Sequence, residues 1–121
     1  MKICIVDDST FARKQIRKHL EKKGYEVIEA DSGMTALEIT KDITPDCFTL
    51  DLLMPGLSGQ ETLAKLKPNF PDAHFIIVTA DIQEETHKEL IALGADAFLN
   101  KPVSEYDLIS AIEQFSKTIN S

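Results

Sequence analysis

Five short apolar runs, separated by longer segments with helical periodicity, organise the sequence. They are residues 3–6, 27–30, 47–50, 75–78 and 97–99. Each run has the length of a buried strand, and the segments between them repeat apolar residues every three or four positions. Strands that alternate with helices predict a parallel sheet with right-handed crossovers, which place helices on both faces once the strand order reverses. The sequence therefore predicts a doubly wound α/β fold with a five-stranded parallel sheet.

Capping residues and helix breakers predict where the helices begin and end. The predicted N-terminal caps are Ser9 or Thr10, Ser58 with Glu61, Asp81 with Glu84, and Ser104 with Asp107. We expect Gly24 to end the first helix and Pro68 to lie beyond the end of the third. The second helix is predicted at about residues 34–40 and the last at about residues 105–117.

The length and charge of the chain restrict the class of protein. A chain of 121 residues predicts a single domain, residues 1–121, with one core. The net charge of −7 repels phosphate backbones and anionic membrane surfaces, so we expect no direct nucleic-acid binding. Cys4 and Cys47 both lie in apolar runs and are predicted to be free buried thiols. Because no stretch is long enough to span a bilayer and no leader precedes the first strand, we expect a cytoplasmic protein without membrane insertion.

Polar residues stand where four of the predicted strands end. Asp7 and Asp8 follow the first run, Asp51 the third, Thr79 the fourth and Lys101 the fifth. The carboxyl ends of parallel strands share one edge of the sheet, where ligands of such folds bind. Two carboxylates at ~4 Å repel by roughly 1 kcal/mol in water and about 4 kcal/mol at an effective dielectric of 20, so a cation is expected among the three. Oxygen ligands alone favour a hard ion such as Mg²⁺.

The same residues suit phosphoryl chemistry. A carboxylate can attack phosphorus to form an aspartyl phosphate, while Lys101 and Thr79 offer a positive charge and a hydrogen-bond donor for an anionic group. Each residue alone has a plainer interpretation: Asp7, Asp8 or Asp81 as a helix cap, and Lys101 as a solvated charge. Their joint placement at the ends of four strands favours a site.

Five segments carry a resemblance to a known family. They are Val6-Asp7-Asp8-Ser9, Pro45-Asp46 leading to Leu50-Asp51, Met54-Pro55-Gly56, Val78-Thr79-Ala80 and Asn100-Lys101-Pro102. With them the chain resembles, over essentially its whole length, the receiver domain of two-component response regulators in its single-domain, chemotaxis-type form. The resemblance implies a flavodoxin-like sheet with the strand order 2-1-3-4-5.

The resemblance also implies roles for the acidic residues. Asp51 would accept a phosphoryl group from a histidine kinase or phosphotransfer protein. Asp8 and Asp51 would bind Mg²⁺ directly, Asp7 largely through water, and Leu53 through its backbone carbonyl. The protein would be a regulator that catalyses its own phosphorylation and dephosphorylation, not an enzyme that acts on other substrates.

Further residues would convert the phosphoryl group into a signal. Lys101 would pair with a phosphoryl oxygen, and Thr79 would swing towards it and leave space for the ring of Phe98. Phe98 has an equally good interpretation as an ordinary core aromatic. The Lys101-Pro102 bond is often cis in this family.

The expected output is a change in affinity for a protein partner. The surface around the fourth helix and fifth strand carries polar and aromatic residues: His87, Lys88, Glu89, Phe98 and Tyr106. With no second domain in the sequence, we expect a monomer that binds a downstream protein; the alternative is a phosphate relay or sink. The histidines show no spacing typical of a metal site.

Two residues are hypothesised to set the lifetime of the phosphorylated state. Leu53 lies two residues after Asp51, and Asp81 lies two residues after Thr79. An apolar side chain and an anion would orient water differently near the phosphoryl group. Their plainer interpretations are a packing residue and a helix cap.

Two other functions are compatible with this topology. A phosphatase with an aspartyl nucleophile would commonly need a second acid where Leu53 stands. A flavodoxin-like cofactor carrier would need a Gly-rich phosphate loop after the first strand, where this chain has Asp7 and Asp8.

Overall fold

Five strands alternate with five helices in the computed structural model, which describes residues 1–80 and 83–119. The strands are β1 Lys2–Val6, β2 Glu26–Ala30, β3 Cys47–Leu50, β4 His74–Thr79 and β5 Ala97–Asn100. The helices are α1 Thr10–Lys22, α2 Gly33–Ile39, α3 Gly59–Asn69, α4 Glu84–Leu93 and α5 Glu105–Ile119. All five predicted strands are therefore present, and the alternation is confirmed.

The five strands form one parallel sheet in the order β2-β1-β3-β4-β5. β1 pairs with β2 on one side, with Val6 opposite Ala30, and with β3 on the other, with Val6 opposite Leu50. The strand order reverses at β1, so the residues after β1 and β3 emerge side by side at the carboxyl edge. Both the parallel sheet and the predicted order are confirmed.

Side chains on the two faces of the sheet form two apolar layers. On one face Phe48 and Phe75 stack with ring centroids 4.8 Å apart, beneath α2, α3 and α4. On the other face Ile16 and Leu20 of α1 pack with Ile112 of α5. Alternate residues of a strand point to opposite faces, and the strands covered on both sides are mostly apolar, as the sequence predicted.

The two cysteines are free and buried, one on each face. Burial raises the pKa of the Cys4 thiol to about 12 and raises that of Cys47 as well. Both thiols therefore stay protonated at neutral pH and act as small apolar side chains.

Three predicted helix caps are confirmed. The Ser9 hydroxyl accepts a hydrogen bond from the Ala12 N–H at 3.2 Å, so Ser9 and not Thr10 caps α1. Ser58 and Glu61 form a complete capping box at the start of α3, and the Asp107 N–H donates to the Ser104 hydroxyl at 3.0 Å before α5. These caps satisfy amide groups that have no partner inside a helix.

The predicted end of α3 before Pro68 is wrong, because the helix continues to Asn69. Pro68 lies in the last turn, where its missing N–H removes one hydrogen bond only. The Phe70 N–H closes that turn by donating to the Leu66 carbonyl at 3.0 Å. A proline this close to a helix end is tolerated.

α4 begins later than the sequence predicted. Its N-cap is Gln83, which makes no side-chain capping hydrogen bond, whereas the sequence predicted the cap at Asp81. Asp81 itself lies outside the described residues. The helix ends at Gly94, whose φ of +111° lets its N–H reach the Ile91 carbonyl at 3.1 Å. No helix in the described ranges is long and apolar enough to cross a membrane.

Candidate functional site

Asp7 is fixed by its backbone and side chain directly after β1. Its N–H donates to the Ala30 carbonyl at 3.1 Å, which extends the β1–β2 pairing by one residue. One carboxylate oxygen, Oδ1, accepts a hydrogen bond from the Ser9 N–H at 2.9 Å, and the side chain is buried. The next residue, Asp8, is exposed.

Asp51 occupies the equivalent position after β3. Its N–H donates to the Val6 carbonyl at 3.0 Å, so the β1–β3 pairing carries the backbone to the sheet edge. The side chain is only 5% exposed. The Leu53 N–H hydrogen-bonds to the Asp51 carboxylate, whereas the Leu53 side chain is 74% exposed.

A glycine allows α3 to approach the loop after Asp51. The Gly59 N–H donates to the Leu52 carbonyl at 3.0 Å. A Cβ at Gly59 would lie 2.5 Å from the Asp51 carbonyl oxygen and 2.6 Å from Leu52 Cα. Backbone therefore packs on backbone here, and any side chain at this position would displace one of the two segments.

Lys101 joins the two buried carboxylates. Its Nζ lies 2.6 Å from Asp7 Oδ2 and 3.3 Å from Asp51 Oδ2. Its backbone N–H donates to the Thr79 carbonyl at 2.9 Å, which holds the segment after β5 beside the end of β4. The Lys101-Pro102 peptide bond that follows is cis.

Burial and charge shift the pKa values of this group. Burial raises the pKa of Asp51, as does the charge of Asp7, and the ammonium of Lys101 only partly offsets these effects. Burial alone would lower the pKa of Lys101, but the carboxylates of Asp7 and Asp51 raise it above its ordinary value. Lys101 therefore stays charged and keeps two carboxylates together at the sheet edge.

The acidic side chains suit a hard divalent cation. One oxygen each from Asp7, Asp8 and Asp51 lies within 4.8 Å of the others. With Lys101 the ionised group carries a net charge of −2, which a divalent ion would neutralise. The donors are oxygens alone, the ligand type that Mg²⁺ prefers. The predicted acidic residues are thus brought together in an arrangement that fits this ion.

Thr79 offers a hydrogen-bond donor at the same edge. Its side chain is fully buried, and its hydroxyl has no hydrogen-bond partner among the described residues. Buried hydroxyls are normally paired, so an unpaired one beside a charged cluster suggests an interaction not formed in this state.

The predicted switch residue Phe98 lies between sheet and helix. Its half-buried ring packs against the apolar layer beneath α4 and stacks on the His87 ring, with centroids 3.8 Å apart. Sequence reasoning gave His87 no individual role, yet it is the residue through which α4 holds the Phe98 ring. Tyr106, by contrast, is 79% exposed on α5.

Sequence reasoning missed Arg13. Its Nη1 donates to the Asp7 carbonyl at 2.6 Å, and its Nε donates to Glu29 Oε1 at 3.1 Å. One signal was available: Arg13 stands in the first turn of α1, which contains no acidic residue. A cation there is unfavourable beside the positive end of the helix dipole, so its presence indicates a specific contact.

Comparisons with known proteins agree with the fold. A chemotaxis protein CheY of Bacillus subtilis is 36% identical over 120 residues and covers 98% of both chains. A chemotaxis protein CheY of Halobacterium salinarum is 34% identical and covers 91% of this chain and 92% of its own. The crystal structure of a CheY-like response regulator receiver domain protein from Methanospirillum hungatei is 30% identical, with a TM-score of 0.92 over 98% of this chain and 96% of its own.

The same module also occurs within longer proteins. A cyclic di-GMP phosphodiesterase of Thermotoga maritima is 35% identical over 104 residues, which make up 28% of its length. The sequence model of the response regulator receiver domain matches residues 3–113. The shared fold, the acidic cluster and this match agree, and the chain belongs to the response regulator receiver domain family.

Proposed function

We propose that the chain is a phosphorylation-dependent signalling switch whose phosphoacceptor is Asp51. One observation carries the proposal: the Asp51 carboxylate lies 3.3 Å from the Lys101 ammonium and has the Asp7 and Asp8 carboxylates within 4.8 Å. This arrangement unites a nucleophile, a fixed positive charge and a site for a divalent cation. The donor would be a histidine kinase or a phosphotransfer protein.

In the proposed reaction an Asp51 carboxylate oxygen attacks the phosphorus atom. The bond between phosphorus and the donor imidazole nitrogen breaks, its electron pair stays on that nitrogen, and an acyl phosphate forms on Asp51. Mg²⁺, bound by Asp7, Asp8, Asp51 and the Leu53 carbonyl, would supply positive charge for the phosphoryl oxygens. Lys101 would move from the carboxylates to a phosphoryl oxygen and so stabilise the charge that develops there.

Hydrolysis would reset the switch. Water attacks the phosphorus, the bond to the Asp51 oxygen breaks, and inorganic phosphate leaves with the carboxylate restored. Both steps take place on the protein's own side chain, so the chain would act as a regulator. The exposed apolar Leu53 places no acid where an aspartyl phosphatase commonly has its second acid.

The signal would pass through Thr79 and Phe98 to a protein partner. The unpaired Thr79 hydroxyl can donate to a phosphoryl oxygen, and its displacement would open space beside the sheet for the Phe98 ring. Phosphorylation changes partner affinity only if the partner contacts the two states differently. The surface of α4 and β5 would carry that difference, because Phe98 stacks on His87 there.

Intact mass spectrometry after incubation with acetyl phosphate and Mg²⁺ tests the proposal. We expect one added phosphoryl group on the wild type and none on Asp51→Asn, which has no nucleophilic carboxylate. Asp72→Asn, an exposed substitution before β4, should be labelled like the wild type. Equal labelling of Asp51→Asn, or an unlabelled wild type, would contradict the proposal.

A further inference from the structure

We infer that Arg13 is a positioning residue that holds the peptide unit between Asp7 and Asp8 and thereby sets the affinity of the acidic cluster for Mg²⁺. The inference rests on the proposed metal site and adds a residue to it. Arg13 lies on α1 and is not itself a metal ligand. Its guanidinium acts through the Asp7 backbone.

The contacts of Arg13 fix its guanidinium in one place. Nη1 donates to the Asp7 carbonyl at 2.6 Å, and Nε donates to Glu29 Oε1 at 3.1 Å. Nη2 lies 3.4 Å from the Thr10 hydroxyl. The side chain is only 14% exposed, so these hydrogen bonds are partly shielded from water. A guanidinium presents its donors in a rigid plane, so the Glu29 contact also directs Nη1 at the Asp7 carbonyl.

The Asp7 carbonyl matters because it shares a planar unit with the Asp8 amide. Asp7 itself is held by Ala30, Ser9 and Lys101. The exposed Asp8 carboxylate receives no hydrogen bond from the described part of the chain. The orientation of the Asp7–Asp8 peptide therefore decides where the Asp8 carboxylate can lie, and Arg13 is the side chain that fixes this orientation.

Arg17 provides a matched control for Arg13. It pairs with the same glutamate, with Nη1 2.6 Å from Glu29 Oε2, and lies one turn further along α1. It also pairs with Glu21 at 3.3 Å. Within the described part of the chain, Arg17 forms ion pairs with Glu21 and Glu29 and no hydrogen bond with Asp7. Replacing Arg17 removes a positive charge and a Glu29 ion pair while the Asp7 carbonyl keeps its hydrogen bond.

Charge and positioning predict opposite outcomes. Removing a cation from the neighbourhood of three carboxylates should strengthen Mg²⁺ binding if charge alone matters. Releasing the Asp7–Asp8 peptide should weaken it, because the ligands are then no longer held in place. Loss of groups that orient metal ligands typically weakens affinity about 10- to 100-fold. The sign of the change therefore separates the two explanations.

Calorimetric titration with Mg²⁺ of the wild type, Arg13→Met, Arg13→Lys and Arg17→Met tests the inference. We expect Arg13→Met to bind at least about tenfold more weakly. Arg13→Lys should recover part of the loss, because its ammonium can reach one of the two acceptors. Arg17→Met should stay near the wild type. Hydrogen exchange of the Asp8 amide in metal-free protein should be faster in Arg13→Met and unchanged in Arg17→Met.

Two results would overturn the inference. One is Mg²⁺ binding by Arg13→Met as tight as the wild type or tighter; the other is equal weakening in Arg13→Met and Arg17→Met. If Arg13→Met does not fold, Arg13→Lys decides the question, since unchanged affinity and Asp8 exchange would also refute positioning. A wild type that binds no Mg²⁺ would instead refute the proposed metal site itself.

Discussion

At the scale of single residues, Asp51 is a carboxylate that depends on its neighbours to stay ionised. It is almost entirely removed from solvent, and both burial and Asp7 raise its pKa. Lys101 and the Leu53 N–H act in the opposite direction. A partly desolvated carboxylate beside a fixed cation is suited to act as a nucleophile, because little of its hydration has to be removed first.

Leu53 should influence how long a phosphoryl group remains on Asp51. Its exposed side chain follows the acceptor by two residues and has no group that could orient water. We expect Leu53→Asn to shorten the lifetime, because an amide can hydrogen-bond the attacking water. An effect of roughly two- to tenfold corresponds to at most about 1.4 kcal/mol in the barrier.

Loss of the phosphorylated mass with time, after removal of acetyl phosphate, measures this effect. Leu53→Ala is the control, since it shortens the side chain without adding a hydrogen-bonding group. An Asn variant that dephosphorylates at the rate of the Ala variant would contradict the role of the amide. The matching hypothesis for Asp81 remains a prediction, because Asp81 lies outside the described residues.

The acidic residues could be predicted from the sequence, whereas the contact between Arg13 and the Asp7 carbonyl could not. Asp7, Asp8 and Asp51 directly follow apolar runs, so strand direction alone takes them to one edge. The contact made by Arg13 depends on the rotation of α1 about its axis and on the reach of a long side chain. Neither the rotation of the helix nor the conformation of the side chain can be predicted from a short sequence motif.

At the scale of elements, α4 and β5 form the less buried part of the fold. Within residues 84–93, Leu90 alone is buried, and the four residues of β5 are half-buried or exposed. Fewer buried side chains allow a segment to move at lower free-energy cost. The stacked rings of His87 and Phe98 are a specific tie between these two elements.

Removing the His87 ring should loosen this tie. We expect His87→Ala to lower the free energy of unfolding by about 0.5–1.5 kcal/mol, the usual worth of a ring pair beyond its buried area. Denaturant unfolding measures the change. Lys88→Ala, an exposed neighbour on α4, should stay within about 0.5 kcal/mol of the wild type. Equal effects of the two substitutions would show that the stacking of His87 on Phe98 does not contribute to the free energy of unfolding.

Helix boundaries were predictable where a local hydrogen bond sets them. The capping box of Ser58 and Glu61 forms as expected, because it needs only residues three apart. Pro68 misled the prediction, since its effect depends on how many residues of the helix follow it. The start of α4 misled it too, because Gln83 caps the helix without a side-chain hydrogen bond.

At the scale of the whole molecule, the reversal of strand order creates the site. β1 lies between β2 and β3, so the ends of β1 and β3 stand side by side. Alternating strands and helices predicted the parallel sheet, but only the family resemblance supplied the strand order. Order depends on which strands pair over long sequence separations, and apolar runs of similar composition do not specify that.

The raised pKa of Asp51 predicts how global stability depends on pH in metal-free protein. The folded state binds the Asp51 proton more tightly than the unfolded chain does, where the pKa is near 3.8. This contribution to stability is present below pH 3.8 and is lost as pH rises through the raised folded-state pKa. We therefore expect Asp51→Asn to be more stable than the wild type at neutral pH, by a margin that shrinks on acidification.

Unfolding free energies of both proteins in the presence of a chelator, compared across this pH range, measure the margin. Leu53→Ala should differ from the wild type by a constant amount, because the substitution removes no titrating group. A wild type as stable as Asp51→Asn at neutral pH would mean that Lys101 fully compensates the buried charge.

The contact at Gly59 determines how this molecule could be recombined with others. The start of α3 packs on the loop after Asp51 with no side chain between them. The fit between helix and loop therefore depends on the exact position of both backbones. A chimaera that took β3 from one parent protein and α3 from another would join a loop and a helix whose backbones do not fit each other at this short distance. Crossover points should therefore fall outside residues 47–69, so that acceptor strand and following helix are inherited as one unit.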